Sequence, residues 1–321
     1  MMPSFSCTVN QSVSPGLRLD RYVAEYLKIL TRSQIKARKL KALVNGKAVK
    51  VSRNLTGGEH LEISWEEEES IHLVPENLPL NIVYENERVI VINKEQGMVV
   101  HPGAGNRRGT MANALFYRML EKRGIESASR QIAEVLPVQS SQGLRPGIVH
   151  RLDKDTSGVI IAAWDNDALA FLASQFKARK VRKSYAALVQ GCPRDTEGSI
   201  EKGIIRSRRN RKIFSVSDTI GRPSITYFKL IKAYEKYSLL LLRPRTGRTH
   251  QIRVHLKYLG TPILGDSLYG RDDPRFGKAS LMLHAKSLSL VLPPDNGNDF
   301  ECQRTFRTPL PARFRNIIYS L

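Results

Sequence analysis

The chain has 321 residues and a formal net charge of +21, with 51 Lys/Arg against 30 Asp/Glu and a pI near 10.1. Its 41% hydrophobic content excludes wholesale disorder, and the cationic excess points to a polyanionic partner, most simply nucleic acid. The three scattered cysteines (Cys7, Cys192, Cys302) exclude a disulfide framework or a CxxC metal site, and no apolar run approaches the ~18 residues of a membrane span.

The N-terminus lacks a basic segment followed by an apolar one, so we expect a soluble, cytoplasmic protein with no membrane association. Residues 17–63 form the first unit. Asp20 stands at an N-cap or in a first helical turn, ahead of the stripe Val23, Leu27, Leu30. Thr31 or Ser33 opens a second helix through "QIKARKLKAL". Asn45-Gly46 turns between two short strands, and "HLEI" closes the unit as a third. From Arg18 to Glu62 it holds eleven Lys/Arg against four Asp/Glu, a net +7.

The acidic run Glu66 to Glu69 and the prolines Pro75 and Pro79 mark a linker. We place the boundaries at 1–70 for the small domain, 71–80 for the linker and 81–321 for the large domain. Beyond the linker come short β runs: "RVIVIN", "GMVV", "GIVH", "GVIIAA", "SYAALVQG", "SITYFKLI" and "YSLLLLRP". The helical stretches "ALAFLASQFKA" and "HQIRVHLKYLG" alternate with them, the latter closed by Gly260. Strands and helices without a regular βαβ rhythm indicate an α+β domain on a mixed sheet. Residues 121–143 read as a polar surface insertion.

Three constellations carry chemistry. The first is "VHRLDKDTSG", where His150, Arg151 and Lys154 crowd cations around Asp153. A calcium loop fails, since Gly158 comes late and no Glu closes it. Asp153 or Asp155 could simply cap a turn. A partly buried carboxylate kept ionised by cations would instead suit a nucleophile or base.

The second is "RPRTGRTHQIRVH". Arg253 lies beside the apolar stripe Ile252, Leu256, Leu259 and needs an acidic partner. Arg245, Arg248 and Thr249, at the turn into the helix, suit phosphates. His250 and His255 lack metal-site spacing. The third is Tyr185, either a core strand tyrosine or a ring that stacks on a base. "KARKVRK" and "RSRRNRK" are sequence-tolerant phosphate contacts at most.

"GIVHRLDKDTSG", "KSYAALVQG", "RTGRTHQIRVHL" with "LGTPILGDSLYG", and "LMLHAKSLSL" together resemble the catalytic domain of RluA-type pseudouridine synthases, most closely the RluD kind that act on large-subunit ribosomal RNA. "LRLDRYVAEYL…TRSQIKARKLKALVNGKAVK" is similar to the S4 RNA-binding module. The resemblance implies a mixed, mostly antiparallel sheet with a central cleft, beside a small α/β S4-like domain. It implies that Asp153 is the essential carboxylate, that Tyr185 packs on the target base and that Arg253 pairs with Asp153. His150 and Arg151 then prop the duplex or hold phosphates, while Arg32, Lys36 and Lys39 line one helical face toward RNA. No metal or organic cofactor is implied, and we expect a monomer. A non-catalytic RNA-binding factor in ribosome assembly is the competing reading of the same charge.

Overall fold

A computed structural model describes the chain except residues 1, 15, 67–72, 104, 126–138, 141, 142, 145, 208, 209, 211 and 295–301. Most of the 121–143 insertion and part of "RSRRNRK" therefore lie outside the described residues. The chain divides into two compact units, Met1–His72 and Leu73–Leu321.

In the first unit, β1 (Ser4–Thr8), β2 (Lys41–Val44), β3 (Lys47–Val49) and β4 (His60–Ser64) form an antiparallel sheet in the order β1-β4-β2-β3. Helix α1 (Leu19–Arg21) runs on as π-helical Tyr22–Tyr26, and α2 spans Arg32–Ala37. Leu19, Val23, Leu30, Ile35, Leu61 and Ile63 fill the core. Thr31 caps α2 in a reciprocal capping box with Gln34, which fixes where that helix begins. Asn45 and Gly46 both take positive φ (50° and 74°), as a two-residue hairpin of this hand requires.

Asp20 lies in the first turn of α1, one of the two places expected for it, with Arg18 at the cap, and its carboxylate accepts from Arg18 Nε and Nη2 at 3.0 and 2.9 Å. One expectation fails in this unit. The second helix stops at Ala37, where Lys39 turns left-handed (φ 47°) and delivers the chain into β2. The first strand escaped the sequence reading because nearly all of its residues are exposed, leaving no alternation to see.

In the second unit nine strands form one sheet: β5 (Ile82–Glu85), β6 (Val89–Lys94), β9 (Ser157–Ala163), β10 (Arg182–Gln190), β11 (Glu197–Glu201), β14 (Ile225–Ala233), β15 (Tyr237–Pro244), β16 (Leu283–Leu292) and β17 (Cys302–Arg307). The order is β11-β14-β15-β10-β16-β9-β6-β5, with β17 also on β16. Two small two-stranded sheets, β7 (Gln139–Ser140) with β8 (Gly143–Leu144) and β12 (Gly203–Arg206) with β13 (Phe214–Ser217), stand outside it. Helices α3 (Met111–Lys122), α4 (Asn166–Lys177), α5 (Gln251–Tyr258) and α6 (Ala312–Ser320) complete the unit. The sheet is antiparallel except between β9 and β16, so the α+β, mostly antiparallel architecture is the one observed.

Residues 73–80, expected to be linker, belong to this unit. Leu73 is buried in its core, and Asn113 of α3 donates to the Val74 carbonyl at 2.8 Å. Prolines break secondary structure without preventing packing. "GIVH" and "GMVV" make only single bridges, Ile148 to Ala162 and Val99 to Thr110, so neither is a strand. Two apolar cores flank the sheet's middle, and the ring of Tyr185 on β10 packs against both.

Candidate active site

A cavity of ≈ 480 Å³ opens between the loop before β9, strand β10 and the turn from β15 into α5. Among the described residues lining it, seven are Lys or Arg and Asp153 is the sole carboxylate. Asp155 is an exposed turn residue, whereas Asp153 faces a cationic cavity.

Two glycines place Asp153. Gly147 (φ 61°) passes so close to β9 that a Cβ would sit 1.7 Å from the Ala163 carbonyl oxygen. Gly158 (φ 116°) lies in the parallel pairing of β9 with β16, where a Cβ would meet the Ala285 carbonyl oxygen at 2.2 Å. Between them the chain turns, with Thr156 N–H donating to the Asp153 carbonyl at 3.1 Å. Ser157 is anchored by a buried network. Arg313 Nη2 of α6 donates to Ser157 Oγ at 2.6 Å, leaving that hydroxyl to donate to His284 Nδ1 at 2.8 Å. His284 Nε2–H then donates to Thr308 Oγ1 at 3.0 Å, whose proton goes to the Ala285 carbonyl. Burial, with Arg313 beside it, holds His284 neutral, its pKa down at about 4.

The opposite wall is shaped by Gln251. Its Oε1 accepts from the Thr246 hydroxyl (2.7 Å) and the Arg248 N–H (3.0 Å), and its Nε2 donates to the Ile225 carbonyl and Thr226 Oγ1. The N–H groups of Arg245 and Arg248 are thereby consumed within the protein. Those two amides are therefore not free for a phosphate at this turn.

Arg253 Nη1 lies 3.4 Å from Asp153 Oδ2. Its main partner is another residue: Nε and Nη2 both donate at 2.7 Å to the fully buried Asp266. The sequence reading sought one acidic partner for Arg253 and did not single out the second.

His250 was missed as well, having been weighed only for metal spacing. It sits left-handed (φ 56°) ahead of α5, with Nε2 3.8 Å from Asp153 Oδ2. A non-glycine residue held in that region marks a constrained site. Its Nδ1 is 2.9 Å from the Tyr269 hydroxyl, which accepts from the Phe214 N–H at 2.8 Å. Tyr269 is buried and needs an acceptor for its own proton; among the described residues His250 Nδ1 serves. The imidazole proton is therefore assigned to Nε2, the nitrogen 3.8 Å from Asp153 Oδ2. Burial keeps this ring neutral by lowering its pKa.

Tyr185 lines the cavity from β10, and burial, then the Asp153 charge, raises its phenol pKa so that it stays protonated. Lys183, two residues earlier, also lines it, with its ammonium disfavoured by burial. Arg151 is an exposed rim residue.

Of the two roles expected for His150, holding a phosphate does not fit its surroundings. Its Nε2 accepts the Ile161 N–H at 3.1 Å and its ring stacks on Phe176 at 4.6 Å. Burial pushes its pKa down to about 3, so it is a neutral wall residue and no cation for phosphate. In the first unit Arg32 and Lys36 share one face of α2 a turn apart, with Arg32 3.4 Å from Asp20. Lys39 lies beyond the helix and pairs with Glu66 at 2.8 Å, so the three do not form one helical face.

The RNA pseudouridylate synthase family matches residues 88–258, which contain Asp153, Tyr185 and Arg253. The chain belongs to this family and is an RNA pseudouridine synthase, an isomerase of uridine within RNA. It is 43% identical over 305 residues to the ribosomal large subunit pseudouridine synthase D of Borreliella burgdorferi, spanning 93% of this chain and 88% of that one. With the protein of the same name from Haemophilus ducreyi it shares 37% identity over 321 residues, 95% and 91% of the two chains. The fold is shared with the solved human RNA pseudouridylate synthase domain containing 4 (TM-score 0.56, 23% identity, 74% of this chain and 92% of that one).

Proposed function

We propose that the chain isomerises particular uridines of large-subunit ribosomal RNA, as a monomer in the cytoplasm, with Asp153 as the reacting carboxylate. The single observation that carries the site is Asp153, the sole carboxylate of a cation-lined cavity among the described residues. The ribosomal target rests on the printed names of the relatives.

The reaction breaks N1–C1′, turns the uracil and joins C5 to C1′. The proton leaves C5 and one is gained at N1, so no oxidant or energy donor enters. Asp153 attacks the nucleoside or removes a sugar proton, with Arg253 holding it and Tyr185 packing on the base. A uridine in structured RNA must leave its stack to enter the cavity, at a cost of a few kcal/mol. Arg151, Arg245, Arg248 and Thr249 hold the flanking backbone at the cavity. Arg32, Lys36 and Lys39 supply basic contacts from the N-terminal unit, read here as S4-like.

Tritium release from RNA labelled at uracil C5 tests the proposal, because C5 loses its hydrogen only on becoming the glycosidic carbon. Wild type should release tritium from large-subunit RNA, and Asp153→Ala should release none while binding the RNA as tightly. Release by Asp153→Ala overturns the assignment of the carboxylate. Release from transfer RNA alone overturns the ribosomal target.

A further inference from the structure

Arg253 is shared unequally between two carboxylates. Two of its nitrogens donate to Asp266 at 2.7 Å, and in the geometry that this fixes Nη1 is the nitrogen that reaches Asp153, at 3.4 Å. Asp266 is itself immobilised: its side chain is inaccessible to solvent, and Oδ1 accepts the N–H groups of Leu268 and Tyr269 at 2.9 and 3.0 Å. The Tyr269 ring lies against the guanidinium, 5.1 Å from centroid to Cζ. The plane of Arg253 is thus set from the side away from the cavity.

We propose that Asp266 is a positioning residue for the isomerisation, holding Arg253 so that it touches Asp153 with one nitrogen only. This rests on the reading of Asp153 as the reacting carboxylate. Without Asp266, Arg253 is free to offer Asp153 the two-nitrogen fork that guanidinium and carboxylate prefer. That fork would draw charge from both oxygens of a group that must react through one of them, and so weaken it toward carbon or hydrogen. In the structure Asp153 Oδ1 has no hydrogen-bond partner among the described residues, so it remains available. Asp266 acts on the chemistry through Arg253 and touches no substrate.

The test uses the full chain with saturating large-subunit RNA in single turnovers. Asp266→Asn should lower the isomerisation rate constant on the order of 100-fold, the usual penalty of a misplaced reacting group, with RNA affinity within about twofold of wild type. In an Arg253→Met background the same substitution should cost less than about threefold, because the residue it works through is gone. A crystal structure of Asp266→Asn should show Arg253 turned to contact Asp153 with two nitrogens. Should Asp266→Asn fail to fold, Asp266→Glu, which keeps the charge and lengthens the arm, serves in its place. An unchanged rate, a full loss persisting on Arg253→Met, or an unmoved Arg253 would each overturn the inference. Turnover by Asp153→Ala would instead overturn the reading beneath it.

Discussion

Lys94 shows how a residue outside the cavity serves it. Its ammonium is buried and donates to the carbonyls of Glu95, Met98 and Lys154 at 2.8, 2.9 and 3.0 Å, the last next to Asp153 in sequence. Three acceptors use all three protons of –NH₃⁺. Burial lowers its pKa to about 8, from an unfolded value of about 10.4. The folded state therefore disfavours the charge, and stability from this group rises with pH between those two values. The clamp runs the other way, because a neutral amine has two protons for three carbonyls. We expect the isomerisation rate to fall as pH rises through about 8. Lys94→Met should show a rate about 10-fold lower without that limb, checked by pH profiles of single-turnover tritium release. Nothing in the sequence marks Lys94, since an apolar strand ending in lysine looks like any strand reaching solvent.

At the scale of elements, the parallel register of β9 on β16 holds the reactive loop. His284 stands opposite Ser157 and Ala285 opposite Gly158. Gly158→Ala adds a methyl where the Ala285 carbonyl stands and imposes a side chain on φ 116°. We expect it to destabilise the large unit by about 3 kcal/mol or more, read as a lowered Tm, and to abolish turnover in whatever fraction folds. The helix α5 was legible in the sequence through its apolar stripe and Gly260, and it ends where that glycine predicts (φ 84°). The helix α3 was not singled out. Its Met111, Leu115, Phe116, Met119 and Leu120 are all buried, together with Ala112, Asn113 and Ala114 between them, and its exposed residues, Glu121 and Lys122, come only at the end, so little of the helix shows a polar face. Local spacing shows an element when one face meets water and goes silent when both are covered.

For the whole molecule, we expect the buried histidines to weaken the fold in acid. Burial lowers His150 to about 3, and His255 and His284 to about 4, against about 6.5 unfolded. Each contributes stability that is present above pH 6.5 and is lost as pH falls toward its folded value, because the unfolded chain takes protons that the folded one refuses. Near pH 5 the three together give a slope of up to about 4 kcal/mol per pH unit. Urea unfolding at pH 7, 6 and 5 should show the midpoint falling steeply, and His284→Gln should flatten the fall by about a third.

The sequence by itself determined the polyanionic partner, the α+β class and the Asn45-Gly46 hairpin, and it singled out Asp153, Tyr185 and Arg253 as candidates. These follow from net charge, local periodicity, turn chemistry and contiguous motifs. Only the tertiary structure decided that Asp266 takes two of Arg253's nitrogens, that His250 stands beside Asp153, and that His150 is walled in and neutral. Asp153 and Arg253 stand a hundred residues apart in the chain, and His150's environment is made by Ile161 and Phe176. Hydrogen-bond direction and desolvation depend on what packing brings within a few ångströms, and neither is a property of a residue's neighbours in sequence.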